Sequence, residues 1–170
     1  GAKQINFDQI KFIADNKSKN QMLIFPCTNS GYGVGEEGVF CDEKTPMRPV
    51  SLYGKLKVEI DKYLLDQGDS VTFRFATIFG ASPRMRLDLL VNDFTYRAII
   101  DRTVVLFEAN FKRNYLHVRD SANAFIHTIE NYSKMIGEPF NVGLSDANLS
   151  KKELCEAIKK VVPDFQYVIS

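Results

Sequence analysis

The chain has 170 residues, of which 45% are hydrophobic, and its 22 basic and 21 acidic residues almost cancel. This length can bury one sizeable core, and the balanced charge gives no global attraction to nucleic acid or to a membrane surface. The three cysteines show no CxxC spacing, which argues against a disulfide framework or a zinc site. No signal peptide or long apolar span is recognisable, so we expect a soluble, cytoplasmic protein.

Two helix-to-strand steps occupy the first half of the chain. Apolar residues recur at helical spacing over 5–13, and the polar run 16–20 separates them from an apolar strand at 22–26. After a loop rich in glycine and proline, we predict a helix over 51–66, closed by a glycine, and a strand over 71–75. Such alternation favours right-handed crossovers and a parallel sheet covered by helices.

The pattern changes after Pro83, where a second, smaller lobe is expected to begin. Its predicted elements are helices at 87–100 and 120–131 and strands at 104–107 and 114–117. A last clear helix starts at Ser150, because Ser150 and Glu153 have the spacing of a reciprocal capping box. We therefore divide the chain into residues 1–83 and 84–170.

Tyr53 and Lys57 stand one turn apart on one face of the predicted helix, and Thr28 follows the preceding strand, 25 positions before Tyr53. A neighbouring ammonium favours the phenolate and lowers the pKa of a tyrosine from about 10, so Tyr53 can act as a general base on an alcohol. A YxxxK match also arises by chance, as an exposed pair of little energetic consequence. The strand, loop and helix around it favour the catalytic interpretation.

The segment from Gly33 to Gly38 spells GxGxxG after a strand, as in a dinucleotide fingerprint. That fingerprint needs a helix to begin at its last glycine, so that backbone amides and the helix dipole meet the pyrophosphate. Pro46 and Pro49 follow instead and are incompatible with such a helix, and two glutamates inside the motif would face the pyrophosphate. We therefore do not interpret this segment as a cofactor site.

Three arginines are candidates for binding a diphosphate through their rigid donor forks: Arg84, Arg86 and Arg113. The alternative is that they are solvated or paired with nearby carboxylates. Those carboxylates are Asp88, Asp93 and Asp120. Spacing alone does not decide between the two.

His117, in an alternating segment, is better explained as a structural histidine than as a base. Neither His117 nor His127 has metal-ligand spacing to another histidine. Cys27, beside Thr28, is better explained as a small packing residue than as a reactive thiol.

Three segments carry a family resemblance. They are Thr28–Gly33 (TNSGYG) followed by YxxxK, Arg113–Asp120 (RNYLHVRD) and Phe140–Gly143 (FNVG). Together they resemble the extended short-chain dehydrogenase/reductase family, in particular its nucleotide-sugar epimerases, dehydratases and dehydrogenases. The resemblance implies an α/β fold: the C-terminal part of a Rossmann-like doubly wound parallel sheet, over 1–83, with a small α/β substrate-binding lobe for a nucleotide sugar, over 84–170.

The resemblance also implies roles for individual residues. Thr28 would hydrogen-bond the sugar hydroxyl, Tyr53 would remove its proton, and Lys57 would hold the nicotinamide ribose and tune Tyr53. A hydride would then pass to NAD. Asn6 and Ala76 match positions that contact this cofactor.

In the second lobe, Asn92 and Arg113 match positions that grip the nucleotide diphosphate, with Arg84 and Arg86 as further candidates. The family's phosphate-binding glycine turn and ribose-binding acid come from an N-terminal half that this sequence does not contain. The chain also opens without methionine and ends inside a predicted strand, so we expect it to be a piece of a longer protein. A homodimer is expected through the helix that bears Tyr53.

The residues after Thr28 reduce the number of family reactions that fit this chain. The family's 4,6-dehydratases place carboxylates there, whereas Asn29 and Ser30 cannot act as carboxylate acid or base. Oxidation at C4 remains, and the run 82–94 with the TNSGYG segment most resembles enzymes that oxidise GDP-manno-heptose in bacterial surface-polysaccharide synthesis. A UDP-hexose 4-epimerase, a non-catalytic nucleotide-binding or sensor protein, and an interaction protein remain as alternatives.

Overall fold

The computed structural model describes residues 1–34 and 40–170, so most of the GxGxxG segment lies outside the described residues. The chain packs as two compact units. The first comprises Gly1–Ala76 and Ala122–Val142, and the second comprises Thr77–Ser121 and Gly143–Ser170.

The helices and strands alternate along much of the chain. In chain order they are α1 (Gln9–Asn16, preceded by a π-helical turn Gln4–Asp8), β1 (Ile24–Thr28), α2 (Leu52–Gln67), β2 (Val71–Phe75), β3 (Thr77–Phe79), α3 (Leu90–Ile100), β4 (Thr103–Leu106), β5 (Lys112–His117), α4 (Val118–Met135), β6 (Pro139–Val142), β7 (Asn148–Ser150), α5 (Lys151–Val161) and β8 (Gln166–Ile169). Within residues 1–34 and 40–170, none of the helices combines the length and apolar character needed to cross a bilayer.

The first unit is built on a parallel sheet in the order β1-β2-β6. Its central strand β2 is buried along its whole length, as expected for a strand covered on both faces. One core cluster joins Phe25 and Cys27 of β1 to Ile60 and Leu64 of α2. The sheet and α2 are therefore held face to face by apolar packing.

The second unit contains two small sheets. One has the order β3-β5-β7, parallel between β3 and β5 and antiparallel between β5 and β7, and the other pairs β4 with β8 in parallel. Its core combines residues of the strands with residues of α3 and α5, including the fully buried Leu106 and Cys155, and with Phe165, which lies just before β8 and is also fully buried. This unit is thus a small α/β body with its own core.

The predicted elements are present, with shifts at their ends. Strand β1 runs over 24–28 rather than 22–26, and just before it the Leu23 backbone N–H donates to the Tyr132 hydroxyl at 3.0 Å. Helix α4 continues past the predicted end at 131, through a non-helical Asn131, to residue 135.

The packing units do not coincide with the predicted division of the chain at residue 83. Residues 122–142, which the sequence assigned to the second lobe, belong to the first unit. The reason is that β6 hydrogen-bonds to β2, with Phe73 opposite Phe140. The functional division into an NAD-binding part and a sugar-binding lobe stays a prediction.

The predicted capping box at the start of α5 is present and can be tested. The Ser150 hydroxyl accepts from the Glu153 backbone N–H at 3.1 Å, and the Glu153 carboxylate accepts from the Ser150 N–H at 2.7 Å. We expect Ser150→Ala to lower the free energy of unfolding by about 1 kcal/mol, measured by urea denaturation. Ser133→Ala, at an exposed serine of α4, is the control, and an equal loss in both variants would contradict the capping role.

Candidate active site

Glycines let the turn that follows Thr28 pack closely against the N-terminal part of α2. A Cβ built on Gly54 would lie 3.4 Å from the Ser30 carbonyl oxygen and 3.1 Å from the Pro49 Cβ. A Cβ on Gly31 would lie 2.9 Å from a methyl of Val58. Side chains at either glycine would separate the two elements, so these residues permit the close approach.

Tyr53 lies in the first turn of α2, where the Ser51 hydroxyl caps the helix by accepting from the Gly54 N–H at 3.0 Å. Its side chain is about half exposed, at 48%. Lys57 follows one turn later on the same face of α2. The action of Tyr53 as a phenolate base stays a prediction.

Lys57 is buried beneath that first turn. Its Nζ donates to the Pro26 carbonyl at 2.6 Å and lies 4.1 Å from the centre of the Phe25 ring. Burial lowers the pKa of Lys57, and the nearby Asp61 carboxylate opposes that shift. The hydrogen bond to the Pro26 carbonyl anchors this lysine to β1, and its contact with a cofactor stays a prediction.

Thr28 ends β1 and is half-buried. Its hydroxyl oxygen accepts from the Ser30 N–H at 3.2 Å and so caps the short 3₁₀ turn Asn29–Tyr32. Ala76 follows β2, and its N–H donates to the Val142 carbonyl at 2.9 Å. Because β1 and β2 are parallel, with Thr28 opposite Phe75, Thr28 and Ala76 lie at the same edge of the sheet, where open α/β sheets bind ligands.

Asn6 lies in the π-helical turn that packs against α2. Its side-chain amide donates to the Ala2 carbonyl within the same helix, at 3.0 Å. Asn6 is thus on an element that adjoins the helix of Tyr53 and Lys57, and its contact with a cofactor stays a prediction.

The candidate diphosphate-binding residues belong to the second unit, whereas Thr28, the candidate contact to the sugar hydroxyl, belongs to the first. The buried Asn92 accepts from the Gly80 N–H at 3.1 Å and donates to the Arg86 carbonyl at 2.9 Å, which fastens the segment between them to α3. The Arg86 side chain binds the Asp88 carboxylate through two nitrogens, and both side chains are exposed. Of the alternatives considered for Arg86, the structure therefore shows pairing with a carboxylate.

Arg84 and Arg113 are both exposed. The Arg113 guanidinium lies 5.5 Å from the centre of the Phe111 ring, and Asp93 is engaged by Arg97 at 2.8 Å. A diphosphate contact through Arg84 or Arg113 stays a prediction.

His117 has the surroundings of a structural histidine. Its Nδ1 accepts from the Arg119 N–H at 3.2 Å, and its ring lies edge-on against Phe79. A Cβ on Gly80 would lie 2.8 Å from its Nε2. These contacts agree with the interpretation from the sequence.

Sequence reasoning missed a set of polar contacts centred on Arg74, in the middle of β2. We call the five side chains that form it the arginine network. They are Asp61, Arg74, Tyr32, Asn141 and Glu43. The Arg74 guanidinium binds the Asp61 carboxylate at 3.0 Å, and both residues are buried.

The signal for this network was available in the sequence. Arg74 is the one charge in the apolar run Val71–Phe75, and Asp61 falls one further turn along the face that carries Tyr53 and Lys57. A charge in a buried strand requires a partner, because an unpaired buried charge is strongly unfavourable. Here the partner is the carboxylate of Asp61, on α2, the helix that covers β2.

A model of the NAD dependent epimerase/dehydratase family matches residues 10–143 of the chain. That range contains Thr28, Tyr53 and Lys57, as well as the whole arginine network. A curated relative, the "Uncharacterized protein PB2B2.11" of Schizosaccharomyces pombe, is 29% identical over an alignment of 160 residues, and the match covers 76% of this chain and 43% of the relative.

Solved structures share the fold. dTDP-glucose 4,6-dehydratase from Bacillus anthracis, in complex with NAD, matches 99% of this chain and 56% of its own, with a TM-score of 0.81 and 20% identity. UDP-glucuronic acid 4-epimerase from Bacillus cereus, in complex with UDP-glucuronic acid and NAD, matches 100% and 54%, with a TM-score of 0.80 and 19% identity. The predicted Rossmann-like α/β fold is confirmed, and the chain spans about half the length of these proteins.

Gly33 is expected to be essential to the turn after Thr28. Its φ is +80°, and a Cβ there would overlap the Arg48 carbonyl oxygen. For Gly33→Ala we expect a loss in unfolding free energy of about 1–3 kcal/mol from the dihedrals (φ +80°, ψ −142°), which favour glycine, and about 1–3 kcal/mol from the overlap, measured by urea denaturation. Gly68→Ala, in the left-handed region at φ +72° with open space around the Cβ, is the control and should lose only about 1 kcal/mol. Equal losses would contradict the close approach.

The three cysteines should differ sharply in reactivity. Burial raises the pKa of Cys27 to about 12, with a further contribution from Asp61, and that of Cys155 to about 11, whereas Cys41 is exposed. Because the thiolate is the reactive form, one thiol per chain should react rapidly with a thiol reagent at mildly alkaline pH, and the other two only after unfolding. A second rapidly reacting thiol would show that one of the buried cysteines is accessible.

Proposed function

The chain belongs to the NAD dependent epimerase/dehydratase family, and on that premise we propose that it carries the catalytic residues of an enzyme that oxidises C4 of a nucleotide-activated sugar. The observation that carries the proposal is the packing of the turn after Thr28 against the first turn of α2, with Lys57 anchored one turn beyond Tyr53. This arrangement supplies a hydroxyl, a phenol and an ammonium from adjoining elements.

Each of the three side chains has a distinct task in the proposed reaction. Tyr53, as the phenolate, accepts the proton of the sugar 4-hydroxyl, and Thr28 hydrogen-bonds the same hydroxyl and orients it. Lys57 keeps a positive charge beside the phenolate and donates to the ribose of the cofactor. A positioned base of this kind accelerates a reaction by about 10²- to 10⁴-fold.

NAD, when bound, supplies the hydride acceptor. The described residues fit its nicotinamide end, because the Lys57 ammonium can donate to a ribose and Ala76 offers only a methyl group at the edge of the sheet. Asn6, on the helix beside α2, is the further cofactor contact in this proposal.

The substrate we favour is GDP-manno-heptose, with the sugar nucleotide held by Asn92, Arg84, Arg86 and Arg113. Support comes from the resemblance of residues 82–94 and of the TNSGYG segment to enzymes that act on that substrate. Asn29 and Ser30, directly after Thr28, lack the carboxylates that dehydration needs. The expected setting is surface-polysaccharide synthesis in the cytoplasm of a bacterium, with the enzyme as a homodimer.

A UDP-hexose 4-epimerase is the second candidate, since the same three side chains would also serve an enzyme that returns the hydride to the opposite face. Product analysis separates the two. A 4-dehydrogenase accumulates a keto sugar and NADH in equal amounts, whereas a 4-epimerase yields the C4 epimer without net NADH. Turnover of UDP-hexoses by the full-length protein, with GDP-manno-heptose left unchanged, would overturn the heptose assignment.

Tyr53→Phe is expected to lower kcat of the full-length protein by at least about 10²-fold, because the base is lost, with little change in the Kd of the nucleotide sugar. NADH formation and calorimetric binding measure the two quantities. Tyr96→Phe is the matched control, since Tyr96 is also helical and equally exposed, at 47% against 48%.

A non-catalytic binding or sensor protein would give a different result. Its ligand affinity and its biological effect would survive Tyr53→Phe. Wild-type kcat in the Tyr53→Phe variant would overturn the role of this tyrosine as the base.

A further inference from the structure

Arg74 connects α2, which carries Tyr53, with the turn that follows Thr28. Its Nε and Nη2 donate to the Asp61 carboxylate on α2, at 3.3 and 3.0 Å. Its Nη1 donates to the Tyr32 hydroxyl at 3.1 Å, and Tyr32 ends the 3₁₀ turn that Thr28 caps. One buried guanidinium therefore contacts both the catalytic helix and the catalytic turn.

The rest of the arginine network fastens the loop before α2. Arg74 Nη1 also donates to the Glu43 carbonyl at 2.9 Å, and the Glu43 carboxylate accepts from the Asn141 N–H at 2.7 Å. The Asn141 side chain accepts from the Tyr32 hydroxyl at 2.7 Å and donates to the Cys41 carbonyl at 3.3 Å. These contacts tie the loop and the turn to β2 and β6.

The electrostatics favour a fixed geometry. Burial alone would lower the pKa of Arg74, but the hydrogen bond to Tyr32 and the Asp61 carboxylate outweigh it, so this pKa lies above its usual value. Charge-assisted hydrogen bonds are directional, and the planar guanidinium holds its partners at set angles. Apolar packing between α2 and the sheet has no such directionality.

The spacing along α2 links this geometry to the candidate site. Tyr53, Lys57 and Asp61 follow one another at intervals of four residues, so they share one face of the helix. Lys57 fixes that face to β1 through Pro26, and Asp61 fixes it to β2 through Arg74. Rotation or sliding of α2 would break both contacts.

We infer that the arginine network is a positioning device for the reaction, in which Arg74 sets the placement of Tyr53 relative to Thr28 through Asp61 on one side and Tyr32 on the other. This inference rests on the proposed function. Arg74 and Asp61 are positioning residues, since they act through Tyr53 and Thr28. A misplacement of about 1 Å can lower a rate by about 10²-fold.

The test uses the full-length protein with the double substitution Asp61→Leu/Arg74→Met. Removing both charges together leaves neither member of the ion pair behind as an unpaired buried charge, so the variant is expected to fold. We expect kcat to fall by about 10- to 100-fold while KM for the nucleotide sugar and Kd for NAD stay within about threefold of wild type. Hydrogen exchange should become faster in residues 29–34, and β2 should remain protected.

The matched control is Asp93→Leu/Arg97→Met, which removes an exposed Asp–Arg pair of α3 and should leave kcat and the exchange in residues 29–34 unchanged. Tyr32→Phe removes only the hydroxyl that joins Arg74 to Asn141. This variant should also lower kcat, by a smaller factor than the double variant. If the double variant does not fold, the kcat of Tyr32→Phe tests the positioning role in its place.

The outcomes separate the inference from the function on which it rests. Wild-type kcat in a folded double variant or, if that variant does not fold, in Tyr32→Phe overturns the positioning role. If the wild-type protein itself oxidises no nucleotide sugar with NAD, the proposed function fails, and hydrogen exchange alone tests the network. Unchanged exchange in residues 29–34 of the double variant would then overturn the inference, whereas faster exchange there would show that the arginine network fixes the turn after Thr28.

Discussion

The buried ion pair between Arg74 and Asp61 is the constraint on which the first unit depends. Two charges removed from water are tolerated only when each has a partner at close range, and removal of one partner costs about 3–5 kcal/mol. The pair joins the central strand β2 to α2. The distance and the rotation of this helix over the sheet are thus set by a directional contact and not by apolar packing alone.

The Arg74–Asp61 ion pair also affects the geometry of the candidate site. Thr28 and Tyr53 lie on elements that approach through glycines, which supply space but no specific attraction. Lys57 and the arginine network supply the attraction, through the Pro26 carbonyl and the Tyr32 hydroxyl. Close approach and fixed orientation therefore come from different residues, and the chemistry proposed for Tyr53 needs both.

Much of the fold was predictable from local patterns, and the site only in part. Helix α2 is delimited by a serine cap and a left-handed Gly68, which are readable in the sequence, and the α/β class follows from the alternation of elements. The grouping of β6 with β2 was not predictable, because strand pairing across a long separation leaves no local signal. Glu43 and Asn141 were missed for the same reason, since they lie far from Arg74 in sequence, whereas the spacing of Asp61 from Tyr53 and Lys57 on α2 was a readable signal for its pairing with Arg74.

The discontinuous first unit has a consequence for synthesis on the ribosome. Its sheet lacks the strand β6 until residues 139–142 have been made, long after β1 and β2 have emerged. Pairings between distant segments form slowly, and an unpaired strand edge is prone to aggregation. The nascent chain therefore passes through an interval in which β2 has an open edge and Asn141 is not yet present to join Tyr32 to Glu43. Growth conditions or chaperones that act on this interval should influence the yield of folded protein more than the stability of the finished fold does.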